Sequence, residues 1–336
     1  MVTMRDVAKH AGVSIATVSF VLNDTKPVTA ATRLRIEQAM SELGFRRNMV
    51  ARALASRKTH IIAMAYPALD HRFGFSAAEF FTSAADAARK EDYHLVLWPV
   101  GNDGHELTEL VGQGLVDGVV LMEVQLDDPR VGVLQSTGTP FALIGRTTAL
   151  EGLAHVDIDF DTTVEQAVNY LHGLGHRRFV MVAGDLTDPR FHNYGPFVRS
   201  EAAYRRVSAE YGVETTVLPC ADSTRAGQGA AATLTRDHPE ATAVLVLNEY
   251  AALGVVSGLN RLGRAVPADI SVLSLLMAPD MAALSDPELS FMRTPGPELG
   301  QLGTESLIRQ LEGADPLPPQ LVPADLRIGA STAPPR

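Results

Sequence analysis

Residues 3–23 read Thr3-Met4-Arg5-Asp6-Val7-Ala8-Lys9-His10-Ala11-Gly12-Val13-Ser14-Ile15-Ala16-Thr17-Val18-Ser19-Phe20-Val21-Leu22-Asn23. Thr3 with Asp6 three residues later fits a capping box, Val7, Ala8 and Ala11 fall on one helical face, and Gly12 supplies a stop. Ser14 is placed to cap a second helix, whose Val18, Val21 and Leu22 form an inward face ending near Asn23. Two short helices about a tight glycine turn are the helix-turn-helix pattern. Thr29 is placed to cap a third helix in which Ile36, Ala39, Met40 and Leu43 recur at helical spacing until Gly44. Three small helices with one shared core are expected.

Charge separates this head from the rest of the chain. The 336 residues carry a net −10, yet residues 1–60 hold ten Lys/Arg against four acids, net +6, and the remainder 19 against 35, net −16. A basic head on an acidic body points to a head that meets a polyanion and a body with another task. If the second helix enters a major groove, Ile15, Ala16 and Phe20 face base edges, while Thr17, Ser19 and Asn23 reach phosphates. So apolar a surface suits thymine methyls. Phe20 reads equally well as an aromatic folded back onto its own domain, and Arg33 and Arg35 either bind phosphates or are solvated helix charges. Asn48–Ala55 holds good helix formers but is shorter than the roughly 12–15 residues an isolated helix needs. It is either an ordinary linker helix or one that pairs with a symmetry mate on DNA, with Leu54 wedged between base steps of the minor groove.

The body is rich enough in apolar residues, at 46% hydrophobic and 20% charged overall, to exclude a disordered chain. Cys220 stands alone and cannot form an internal disulfide, the N-terminus lacks the apolar run of a signal peptide, and no stretch of about 18 apolar residues occurs. The expected location is the cytoplasm, without a membrane partner. From Ile61 onward, short apolar runs alternate with helical patterns: 61–65, 95–98, 119–122, 141–144, 179–182, 243–247 and 271–275 read as buried strands. That alternation argues for parallel sheets covered on both faces and split into two lobes. In such folds ligands sit beyond the carboxyl ends of strands, and a cleft between lobes is a natural place for a small molecule.

Enzymatic signatures are weak. Gly112-Gln113-Gly114 with Asp117 fails a dinucleotide fingerprint at its third position, and Gly227-Gln228-Gly229 with Ala232 lacks an immediately preceding strand. Both read as loop or helix glycines. His172 and His176 are separated by Gly173 and Gly175 and have no evident acidic third ligand. No Walker loop, GxSxG elbow or HExxH occurs, so no catalytic residue, metal or cofactor is expected.

The run from Thr3 to Ser14, with Thr17-Val18-Ser19, Val21-Leu22-Asn23, Thr32-Arg33, Glu42-Leu43-Gly44-Phe45, Asn48 and Ala51-Arg52-Ala53-Leu54, resembles the DNA-binding head and hinge of the lactose-repressor (LacI/GalR) family in order and spacing. More thinly, Val116-Asp117-Gly118-Val119-Val120, Leu174-Gly175-His176-Arg177-Arg178, Asn248-Glu249 with Ala252-Leu253-Gly254, and Val266–Val272 resemble its effector-binding core, which is similar to periplasmic sugar-binding proteins. The resemblance implies an all-α helix-turn-helix head (1–47), a hinge helix and linker (48–60) that includes Asn48, Ala51 and Arg52, and an α/β body (61–336) of two doubly wound parallel-sheet lobes. The chain is then expected to cross between lobes near 160, 292 and 320. It further implies a homodimer on a pseudo-palindromic double-stranded operator, with Ile15, Ala16 and Phe20 reading bases and Leu54 intercalating. Thr3, Thr17, Ser19, Asn23, Thr32 and Arg33 are the expected phosphate contacts.

For the small-molecule effector, Arg146, Asp159 and Asn248 match ligand-facing positions, with Phe73 or Phe75 as the stacking aromatic. Departures from the family are informative. Phe20 replaces a residue that is often polar, and Arg47 stands where a proline usually precedes the hinge and fixes φ. Ser274-Leu275-Leu276-Met277 replaces Gly-Phe-Asp-Asp, Gly145 replaces a frequent acid, Glu249 replaces Asp, and Arg199 lies one position from the usual arginine, where Ser200 stands. A pocket lined by Leu276 and Met277 would penalise an unpaired hydroxyl, so the expected effector is not a simple free sugar. The rival readings are a cytosolic small-molecule-binding protein and an enzyme built on the α/β body.

Overall fold

The computed structural model describes residues 2–23, 26–45, 58–67, 75–213 and 215–336; the side chain of Asn23 is not described. Asn48, Ala51, Arg52, Leu54 and Phe73 lie outside the described residues. The chain divides into two compact units, Met1–Thr59 and His60–Arg336.

In the first unit, α1 (Met4–Ala11) starts at a reciprocal capping box: Asp6 N donates to Thr3 Oγ1, while Thr3 N and Oγ1 donate to Asp6 Oδ2 at 2.9 and 2.7 Å. Such caps contribute about 1 kcal/mol. Gly12 then takes φ 65°, a left-handed conformation costly for a residue with a Cβ, and turns the chain into α2 (Ile15–Asn23). Thr17 N donates to Ser14 Oγ at 3.1 Å, which closes the cap of α2, and Thr29 caps α3 (Ala30–Leu43). Val7, Val18 and Ile36 are fully buried, and they draw one residue from each helix into a common core.

The second unit holds two six-stranded sheets. Strands β1 (Ile61–Pro67), β2 (His94–Val100), β3 (Gly118–Met122), β4 (Phe141–Ile144), β5 (His155–Ile158) and β11 (Gln320–Val322) are ordered β11-β5-β4-β3-β1-β2, all parallel. Strands β6 (Phe179–Ala183), β7 (Thr216–Pro219), β8 (Ala243–Val246), β9 (Ser271–Met277), β10 (Ser290–Arg293) and β12 (Asp325–Arg327) are ordered β12-β10-β9-β8-β6-β7, parallel except for the β10/β12 pair. Successive residues of β8 feed opposite cores: Ala243 and Leu245 join one buried cluster, Val244 and Val246 the other. Both faces are covered, which is why these strands read as unbroken apolar runs. β11 still belongs to the first sheet, so the last crossing between lobes falls between Val322 and Asp325, a few residues beyond the expected 320.

Helices α4 (Phe75–Lys90) and α12 (Gly296–Leu311) pack together on the first lobe. On the second, α9 (Thr224–Asp237) and α10 (Glu249–Arg261) cross at a glycine contact: a Cβ on Gly227 would meet the Ala251 carbonyl oxygen at 2.2 Å. Gly227 of the Gly227-Gln228-Gly229 run therefore serves close helix packing, while Gly229 is exposed on the same helix. His172 stacks on Tyr211 while His176 bonds Thr242 Oγ1 and Ala333 O, so the two histidines face different partners. No helix among the described residues is long and apolar enough to cross a membrane.

Candidate functional site

The exposed face of α2 carries Ile15, 46% exposed, and Ala16, also exposed. Phe20 is half-buried, and Lys26 Nζ sits 5.0 Å from its ring centroid, a cation–π contact that covers one face. Thr3, Thr17 and Thr32 present hydroxyls already engaged locally: Thr3 in the α1 cap, Thr17 with Ser14 at 2.8 Å, and Thr32 accepting from Thr29 at 2.9 Å. Ser19 and Arg33 are half-buried.

In the second unit a cavity of about 260 Å³ lies between the lobes, at the carboxyl ends of strands from both sheets. Asp157 on β5 is 4% exposed, with Arg146 Nε at 3.2 Å and, from the second lobe, Arg199 Nη1 at 3.5 Å. Arg199 also donates to the Arg146 carbonyl across the seam. Burial pushes the Asp157 carboxyl above its usual range, and the Arg199 and Arg146 guanidinia only partly oppose it.

Glu249 begins α10 in the second lobe and is 7% exposed, yet it accepts from Ser76 Oγ of α4 in the first lobe at 2.9 Å, and from Ser76 N and Ala278 N at 3.4 Å. Burial nevertheless raises its pKa. Glu123 follows β3 with φ 50°. Its loop is held by the fully buried Arg130, which donates to Asp128 Oδ1 and Oδ2 at 2.9 and 2.7 Å and to the Glu123 carbonyl at 2.9 Å. Burial pushes the Glu123 carboxyl up to about 7, against the pull of Arg130 and with a further push from Asp222. Asp222 remains accessible through the mouth of the cleft, but the surrounding walls strip enough water, and Glu249 adds enough repulsion, to raise it to about 6.

Of the effector residues nominated from sequence, Asn248, Glu249 and Leu276 line this cavity. Arg146 and Arg199 stand behind Asp157 rather than in the wall. Met277 does not line it: neighbours along a strand point to opposite faces, and Met277 turns into the second-lobe core at 0% exposure. Asp159 instead caps α7 (Phe160–Gly173), accepting from Thr162 N at 3.0 Å and Thr162 Oγ1 at 2.7 Å. Phe75, at the start of α4, is 46% exposed and outside the wall. Ser200 is buried and donates back to Pro196 O at 2.7 Å. Sequence reasoning missed Glu123, Asp157, Asp185 and Asp222, together with the ring cluster Phe191, Tyr194 and Phe197. The four acids lie in or just beyond the last residues of strands, so inspection of every strand's carboxyl end would have found them.

Residues 3–48 match the model of bacterial regulatory proteins of the lacI family, and residues 168–332 that of a periplasmic binding protein-like domain. The chain is 30% identical over 320 residues to the HTH-type transcriptional regulator MalR of Streptomyces coelicolor, covering 92% of this chain and 90% of that one. It is 29% identical over 300 residues to catabolite control protein A of Priestia megaterium, covering 85% and 88%. Among solved structures, a transcriptional regulator CelR–cellobiose complex superposes with a TM-score of 0.72 at 25% identity, over 98% of this chain and 100% of that one. With a basic helix-turn-helix unit and a two-lobed binding-protein body both matched, the chain belongs to the lacI family of bacterial regulatory proteins and is a DNA-binding transcriptional regulator rather than an enzyme.

Proposed function

We propose that the chain acts as a cytoplasmic, homodimeric repressor that binds a pseudo-palindromic operator and is switched by a small molecule held between its lobes. The observation that carries this reading is the interlobe cavity of about 260 Å³ in a chain that also holds a basic three-helix unit. A relative solved with cellobiose supports a cavity of this kind as an effector site. In this reading Ile15, Ala16 and Phe20 read base edges, Thr3, Thr17, Ser19, Asn23, Thr32 and Arg33 hold phosphates, and Leu54 wedges into the minor groove from a hinge formed by Asn48, Ala51 and Arg52. Domain limits of 1–47, 48–60 and 61–336 go with it.

Control follows from linkage. An effector changes operator affinity only by binding the two lobe arrangements unequally, and DNA then changes effector affinity by the same factor. The contacts across the seam, Ser76 with Glu249 and Arg199 with Asp157, are what such a two-state element needs. The carboxylates that the late strand lacks come instead from Glu123, Asp185, Asp222 and Glu249, so the wall is more acidic than Leu276 and Met277 led one to expect. The test is recovery of genomic fragments bound by the protein, followed by fluorescence anisotropy on the recovered site and a scrambled duplex. A preference for the recovered site that weakens steeply with salt is expected. Absence of preference for any site over random competitor, with or without ligand, would overturn the reading.

A further inference from the structure

The cavity wall carries a charge pattern that narrows the ligand's chemistry. Glu123, Asp157, Asp185, Asp222 and Glu249 all line it, and no Lys, Arg or His is among the described lining residues. Asp157 has two guanidinia behind it, but the other four carboxylates form no ion pair among the described residues. Arg130, whose charge acts on the Glu123 carboxyl, is committed to Asp128. Asp157 Oδ2 is buried with Arg146 Nε at 3.2 Å and Arg199 Nη1 at 3.5 Å, so its charge is met from within the protein and the unbalanced charge of the wall lies on Glu123, Asp185, Asp222 and Glu249.

Aromatic rings complete the wall. Tyr194 lies edge-on to Phe197 at 4.7 Å between centroids, and Phe191 lies 5.1 Å from Phe197; Tyr66, Phe80 and Phe160 add rings from the first lobe. A neutral polyol would satisfy individual acceptors yet leave like charges facing one another in a space of about 260 Å³. A protonated amine removes that repulsion, gains charge-assisted hydrogen bonds, and places its polarised methylenes against ring faces.

We propose that the cavity takes an organic ammonium ion of about monosaccharide size, with its cationic nitrogen among Glu123, Asp222 and Glu249 and its carbon skeleton against Tyr194 and Phe197. The proposal rests on the reading of this cavity as the effector site and adds the ligand's charge to it. Burial raises both Glu123 and Asp222, with Asp222 adding repulsion to the first against the pull of Arg130, and Glu249 adding it to the second.

The test is isothermal titration of the full chain near neutral pH with three size-matched pairs: glucosamine and glucose, putrescine and 1,4-butanediol, phenethylamine and 2-phenylethanol. At least one amine should bind saturably and about tenfold or more tighter than its neutral partner, the margin expected of a desolvated cation held by carboxylates and rings. Glu123→Gln combined with Asp222→Asn should abolish most of that preference, with Asp222→Asn alone as the neutralisation should the double variant not fold. Equal binding within every pair, no binding of any amine, or a preference that survives neutralisation would overturn the proposal. A neutral sugar that binds and shifts operator affinity while no amine binds removes the charge assignment but keeps the effector site. An amine that binds without moving operator affinity keeps the charge assignment and removes the effector reading.

Discussion

Ser76 Oγ donates to Glu249 Oε2 at 2.9 Å, so the first turn of α4 in one lobe is tied to the first residue of α10 in the other. Glu249 is buried, and a buried carboxylate that loses a donor is costly. Ser76→Ala should therefore destabilise the closed arrangement by about 1–3 kcal/mol. Urea unfolding and small-angle scattering read the two consequences, a lower midpoint and a more open body. An unchanged midpoint with unchanged dimensions would show that the contact contributes nothing in solution.

Stability should also respond to pH in a direction fixed by the cavity acids. Glu123 moves from an ordinary 4.5 to about 7 in the fold, so the folded protein holds this proton more tightly than the unfolded chain does. Its contribution is most favourable below pH 4.5 and is lost as pH rises through about 7. Glu123→Gln removes that loss. The variant's advantage in thermal midpoint over the wild type should widen as pH is raised across this window, and a constant difference would show that the carboxyl is not perturbed.

Local structure was legible in the sequence where one residue type has one physical use. Thr3 with Asp6, Ser14, Thr29, Gly12 and Gly44 mark helix ends because caps and left-handed turns restrict composition, and the unbroken apolar runs of β3 and β8 mark strands buried on both faces. β5 escaped because its sequence, His155-Val156-Asp157-Ile158, interrupts the apolar run with two buried polar residues. One of these is Asp157, whose wall position therefore stayed hidden while Asp159, two residues on, attracted notice and proved to be a cap. The remaining wall comes from the ends of strands far apart in the chain, and no spacing rule connects Glu123, Asp185 and Asp222.

Two glycines of one helix should behave oppositely. On Gly227 a Cβ would meet the Ala251 carbonyl oxygen at 2.2 Å, whereas on Gly229, exposed on the same helix, it would meet nothing within 4 Å. Gly227→Ala must push α9 and α10 apart and should cost at least about 1–3 kcal/mol. Gly229→Ala should stabilise by about 0.5–1 kcal/mol through the lost backbone freedom of the unfolded chain. Paired thermal melts decide it, and equal effects would mean that the two helices do not touch at Gly227.

Three substitutions separate the ways in which the head is read as gripping DNA. Arg33→Ala removes a candidate phosphate contact, so affinity should fall alike on operator and random duplex, with the slope of log affinity against log salt reduced by about one. Ile15→Ala removes an exposed apolar group from the reading face of α2, so the loss, about 1–3 kcal/mol, should be confined to the operator and to one base pair in each half-site. Leu54→Ala should weaken operator binding far more than random binding, because only a bent, specific complex has an opened base step for the side chain to fill. Anisotropy titrations over a salt series measure all three. Equal losses on both DNAs for Leu54→Ala would show that no wedge exists, and a loss confined to the operator for Arg33→Ala would place that guanidinium on a base rather than on the backbone.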